Sequence, residues 1–244
     1  MLHTTVILAI SADGKIADKV RSPARFGSAN DKAHLEQQVA ANDAVLFGNG
    51  TLQAYGTTMR VISPELLKQR ELAGKPPQPV QIVCSRSHQF DPNLRFFQQP
   101  VPRWLLTGQD AETVKDCKFD RTLIANTIEG EIDWIDAFQQ LASLGIQRLA
   151  ILGGGKLVAS VLAAGLIDEL WLTVCPLILG GVNAPTPVEG KGFLADMAPK
   201  LQLLAVKQVD QEVFLHYKVD RAKETGFFPE SGDCDEGFSQ KPGF

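Results

Sequence analysis

The run Ile151-Leu152-Gly153-Gly154-Gly155-Lys156-Leu157 most narrows what this chain can fold into. Three consecutive glycines separate a strand-like stretch, Arg148 to Leu152, from a helix-like one, Leu157 to Ala164. A strand that enters a helix through residues without side chains exposes backbone N–H groups at the positive end of a helix dipole, a geometry that suits a phosphate. Two readings are open at this point: a nucleotide or dinucleotide site, and a tight turn that holds no ligand.

Strand and helix patterns alternate along the rest of the chain. Thr4 to Ile10, Asp43 to Phe47, Val80 to Cys84, Trp104 to Thr107, Arg121 to Ala125 and Asp168 to Val174 read as strands. Asn30 or Asp31 can cap a helix through about Ala41. Asp133 to Leu144 is amphipathic, with Ile135, Phe138, Leu141 and Ala142 on one face and Gly145 at the C-cap position. Gly74 to Pro79 is a connector, and Leu201 to Val209 with Val213 to Val219 forms a closing hairpin around Asp210-Gln211. This predicts an α/β layer fold with a mixed, mostly parallel sheet and a C-terminal antiparallel hairpin. The reading gives one domain over 1–221 and a loose tail from Ala222 to Phe244, rich in Gly, Ser, Pro and acidic residues.

The chain has 244 residues, 44% of them hydrophobic, which is enough for one sizeable core. A net charge of −4 without a basic block argues against nucleic acid as a partner. Cys84, Cys117, Cys175 and Cys234 form no CxxC pair, so neither zinc nor a disulfide framework is expected, and reduced thiols fit a cytoplasmic protein. No signal peptide or membrane span is legible. The GxGxxG fingerprint, the phosphate-loop lysine motif, the GxSxG elbow, the HExxH pair and the zinc-deaminase pattern are all missing.

Three more segments follow strands, where open α/β sheets bind ligands. Ser11-Ala12-Asp13-Gly14-Lys15 offers a hydroxyl, a carboxylate and an ammonium, or simply a solvated turn. Gly48-Asn49-Gly50-Thr51 offers a hydroxyl and N–H groups for a phosphate oxygen, or an ordinary helix cap. In Cys84-Ser85-Arg86-Ser87-His88, an arginine between serines suits the 2′-phosphate that marks NADP, or is a surface arginine.

In this order the segments resemble the reductase domain of bacterial riboflavin biosynthesis, which has a dihydrofolate-reductase-like three-layer sandwich. The resemblance spans roughly residues 4 to 219. It rests on Ser11 to Ala17, on Asp43 to Gly48 with Thr51, and above all on Gly153-Gly154-Gly155-Lys156-Leu157 running into Ala164 to Leu170 and Pro176 to Gly181. It implies NADPH, hydride transfer and a homodimer. The implied substrate is 5-amino-6-(5-phosphoribosylamino)uracil, reduced at ribose C1′. It assigns the cofactor diphosphate to Gly153, Gly154, Gly155, Lys156 and Leu157, on to Ser160. Thr51 would meet a cofactor phosphate, Ile10 the nicotinamide, and Ser85 or Arg86 the 2′-phosphate. Ser11, Asp13, Lys15 and Arg60 would face the substrate. The resemblance singles out no general acid.

The chain departs from this family on the substrate side. Leu152 stands where a Glu is usual, Tyr55 where an Asp is, and Ala24 where a Ser is. Glu36 to Asn42 holds no arginine where one is usual. Two other readings therefore stand beside the riboflavin intermediate. One is a reductase of a different small carbonyl or imine, and the other is a weakly catalytic nucleotide-binding protein.

Overall fold

The computed structural model describes residues 2–87, 89–108 and 118–220. His88, Cys117 and the tail expected from Ala222 lie outside them.

Seven parallel strands form most of one sheet, in the order β5 (Arg121–Ile124), β4 (Arg103–Thr107), β3 (Val80–Cys84), β2 (Ala44–Gly48), β8 (Arg148–Ile151), β1 (His3–Ser11) and β9 (Glu169–Cys175). The closing hairpin, β10 (Lys200–Val209) and β11 (Glu212–Asp220), joins through β11, which runs antiparallel to β9. The sheet is therefore mixed, as the pattern predicts, with nine strands among the described residues. A short hairpin, β6 (Thr127–Ile128) and β7 (Glu131–Ile132), stands apart.

Alternation along the strands sends side chains to both faces. Val6, Leu46, Ile82, Leu106 and Ile151 pack under α4 (Trp134–Ser143) and α5 (Gly155–Ala163). Ile7, Val45, Phe47, Val83 and Ala150 pack under α1 (Ala29–Ala41), α2 (Asn49–Tyr55) and α3 (Pro64–Leu72). Two cores on opposite faces explain why the central strands read as near-continuous apolar runs. The result is three layers.

The helix ends differ from the sequence reading in instructive ways. The cap of α1 is Ser28 rather than Asn30 or Asp31: its hydroxyl accepts from the N–H of both residues and donates to the Glu212 carboxylate at 2.6 Å. A partner on β11, distant in sequence, therefore fixes where α1 begins. α5 starts at Gly155, two residues before the apolar run, and its N-cap is Gly154. α4 is capped by Asp133, and Gly145 takes φ 88° just past its last turn. No described helix is long and apolar enough to cross a membrane.

Candidate active site

Parallel strands deliver their carboxyl ends to one rim, so the segments after β1, β2, β3, β8 and β9 all meet there. The glycine run is the centre of that meeting. Gly48 N–H donates to the Gly153 carbonyl at 2.9 Å, binding the end of β2 to the end of β8. Gly153 has φ 96°, the left-handed region that glycine tolerates best, and the Gly153–Gly154 peptide is cis. Thr51 lies in the first turn of α2 beside Gly154, where a β-carbon would come 3.6 Å from its Oγ1. No side chain among the described residues caps α5, so its first-turn N–H groups lack a side-chain acceptor. Lys156 is exposed there, whereas the Leu157 side chain is buried in the core, leaving only its N–H for a ligand.

Gly155 answers to a second constraint. A β-carbon there would collide with the Thr186 carbonyl oxygen and lie 2.8 Å from Glu189 Cγ. The Gly155 carbonyl accepts from Glu189 N–H at 3.1 Å. The segment 186–190 therefore lies directly on the start of α5.

The loop after β1 is tied to the loop after β9 along its length. Ala12 N–H donates to Leu177 O at 2.8 Å and Ile16 N–H to Pro185 O at 2.9 Å. Asp13 accepts from Leu179 N–H at 3.0 Å, from Gly180 N–H at 2.7 Å and from the Ser11 hydroxyl at 2.6 Å. The Ser11 bond above all, then the backbone N–H groups, hold the Asp13 carboxyl down to about 2. Lys15 Nζ donates to Ala184 O at 3.3 Å, and Arg21 pairs with Glu189 at 2.9 Å. Ser11, Asp13 and Lys15 are thus at the rim but engaged with protein partners. Ile10 is half-buried and pairs with Val174 across β1 and β9.

At the end of β3, Ser85 is buried, and its hydroxyl has no hydrogen-bond partner among the described residues. Arg86 is exposed and its guanidinium donates to Glu131 of β7 at 2.6 Å. The sequence reading did not foresee Glu131, because the hairpin that carries it shows only as the turn residues Glu129-Gly130. Arg60 is half-buried, and no ion pair or hydrogen bond to its side chain is found among the described residues. On the α1 side, Tyr55 follows Thr51 by one helical turn, and its hydroxyl donates to Ala24 O at 3.1 Å. Two positions where the chain departs from the resemblance therefore touch each other. The third, Leu152, is half-buried in the core on the same side.

Burial pushes the Cys84 and Cys175 thiols up to about 12, so neither is an activated nucleophile. No group of metal-ligating side chains is found among the described residues.

A three-layer α/β fold with a glycine-lined helix start at the carboxyl rim, which no described side chain caps, presents backbone N–H groups suited to an anionic ligand. The chain belongs to the RibD C-terminal domain family, whose model matches residues 3–215. It is 29% identical over 194 residues to the 2,5-diamino-6-ribosylamino-4(3H)-pyrimidinone 5′-phosphate reductase of Archaeoglobus fulgidus, covering 79% of this chain and 88% of that one. The reductase of the same name from Methanothermobacter thermautotrophicus is 28% identical over 216 residues, covering 86% of this chain and 95% of its own. Among solved structures, a pyrimidine reductase-like protein from Corynebacterium diphtheriae shares the fold with a TM-score of 0.75 at 23% identity, over 90% of this chain and 92% of that one. The chain is thus similar to riboflavin-pathway reductases over most of its length.

Proposed function

We propose that this chain is an NADPH-dependent reductase of a phosphorylated ribosylaminopyrimidine in riboflavin biosynthesis, adding hydride at ribose C1′. The observation that carries the reading is the start of α5 at Gly154–Gly155, which no described side chain caps, with Thr51 beside it. N–H groups of that turn and the Thr51 hydroxyl would hold the cofactor diphosphate. The Ser85 hydroxyl, without a hydrogen-bond partner among the described residues, and Arg86 would take the 2′-phosphate. Arg86 would leave Glu131 at small cost, since exposed ion pairs contribute about 0–1 kcal/mol. Arg60, without an ion-pair partner among the described residues, would meet the substrate phosphate.

The test is reduced-nicotinamide absorbance with two substrates, the diaminopyrimidinone named for the relatives and 5-amino-6-(5-phosphoribosylamino)uracil. NADPH should be consumed with at least one of them, about tenfold or more in preference to NADH. NADPH binding without turnover of either would move the assignment to another small imine or carbonyl. Equal use of both cofactors would remove the 2′-phosphate site.

The working form would be a homodimer in the cytoplasm. β10 is exposed along both faces and its outer edge, with Leu201, Leu203, Leu204 and Val206 each roughly half-exposed. An uncovered ten-residue apolar edge strand invites another chain. A second copy of this chain would cover it. Sedimentation should give a dimer that Leu203→Arg converts to monomer, and a wild-type monomer at micromolar concentration would refute this assembly.

A further inference from the structure

Three histidines far apart in the sequence are joined through Trp171 and Glu169 of β9. The His216 ring of β11 stacks on the Trp171 indole, with centroids 3.9 Å apart and planes 8° apart. The His34 ring of α1 meets the same indole at 4.7 Å and the Phe214 ring of β11 at 5.1 Å. His216 Nε2 lies 3.0 Å from Glu169 Oε2, and His3 Nε2 of β1 lies 3.4 Å from Glu169 Oε1. His216 and His3 thus share one carboxylate. His34 has none: no hydrogen bond or ion pair to its ring is found among the described residues, and its Nε2 is buried.

The groups packed around His34 offer it no counter-charge. Lys207 of β10 stands opposite Phe214 in the hairpin register, and His216 stands opposite Trp171. Glu169 is engaged with His216 and His3, and has Lys218 of β11 opposite it. Glu212 of β11 is bound to Ser28 at the start of α1. On the helix side, Glu36 accepts from Ile62 N–H and Ser63 N–H, and Arg70 of α3 donates to the carbonyls of Ala40 and Asn42. Asp31 lies three positions before His34 in the first turn of α1, and no ion pair joins the two. Burial first, then Lys207 and His216, hold the His34 ring below its ordinary 6.5. This packing accepts a neutral imidazole. A proton on it would set a half-buried positive charge against the sheet with no acid to pair it.

We propose that the His34–Trp171–His216 stack is a proton-sensitive lock that holds α1 on the sheet and frees it in mildly acid conditions. With His34 neutral, its ring packs on Trp171 and Phe214, and α1 is docked. With His34 protonated, desolvation and the Lys207 charge favour a ring that turns to water, which shifts the local opening of α1 toward the open side. The sign follows from the lowered value: the stabilisation is complete above the ordinary 6.5 and is lost as pH falls through the lower value of the folded protein. The cap of α1, Ser28, is tied to Glu212, and Ala24 just before it holds the Tyr55 hydroxyl. Opening of the helix therefore loosens the rim on the Tyr55 side. It leaves α5, packed on the other face of the sheet, in place. The lock is built into the fold and works whatever the substrate is.

Hydrogen exchange on the full chain, read by mass spectrometry, compares α1 with α5. From about pH 7.5 to about pH 5.5, after correction for the intrinsic pH dependence of exchange, protection of the α1 amides should fall about fivefold while that of the α5 amides holds. His34→Phe keeps a ring against Trp171 without a site for the proton. It should retain the protection of α1 at neutral pH and lose the acid step. His34→Gln is also uncharged and is smaller than the native ring, so it should lose the step even where a phenyl ring disturbs the packing. A wild-type α1 with no acid step, a step shared equally with α5, or a step that persists in both variants would each overturn the lock. None of these measurements needs turnover, so they decide the lock independently of the reductase reading.

Discussion

Gly155→Ala should lose about a hundredfold of NADPH affinity, read by titration of reduced-nicotinamide fluorescence. The added methyl has nowhere to go: it meets the Thr186 carbonyl, a backbone atom held in place by the Glu189 N–H bond to Gly155 O. Either the segment 186–190 or the first turn of α5 must move. A shift of about 1 Å in the groups that position a ligand can cost on the order of a hundredfold. Gly50→Ala is the matched control. A β-carbon at Gly50 meets nothing within 4 Å, although the residue lies in the same rim. Affinity retained in Gly155→Ala would mean that the open turn of α5 does not hold the cofactor.

Asp13→Asn should uncouple the two rim loops. An amide in place of the carboxylate weakens the bonds from Leu179 N–H and Gly180 N–H, which are charge-assisted in the wild type. Hydrogen exchange at those two amides should accelerate about tenfold or more, and the Michaelis constant for the pyrimidine should rise by a similar factor. The pH dependence follows from the sign of the shift. Asp13 is held at about 2, below its ordinary 3.8, so its contribution is present above the ordinary value and disappears as pH falls from about 4 to 2. In the wild type the amides should lose their protection across that window. In the variant that step should be missing. Identical exchange profiles for the two proteins would remove Asp13 as the tie.

The sheet was legible because its central strands are buried on both faces and so read as short apolar runs bounded by turn residues. What escaped was held by side chains that leave no periodic trace. α3 buries Arg70, whose guanidinium donates to the carbonyls of Ala40, Asn42 and Pro76, in place of an apolar stripe. Its start, Ser63-Pro64-Glu65, did carry a capping signature that could have revealed it. α2 opens Asn49-Gly50, poor helix formers that look like a turn until β2 and the glycine run position them. The same contrast divides the site. The segments proposed for the cofactor are contiguous motifs after strands, so the sequence could point to them. Tyr55 and Ala24, by contrast, lie 31 positions apart, and only packing brings them together.

The parallel arrangement also sets the beginnings of these strands at the end opposite the glycine-run rim. There the strands begin, fed by exposed turns such as the one at Pro77 ahead of β3 and the one at Gly145 ahead of β8. A fluorophore or affinity tag joined at Pro77 would sit a full strand length from the glycine-run rim. That turn is the natural anchoring point for immobilising this reductase on an electrode or sensor surface with its chemistry facing outward.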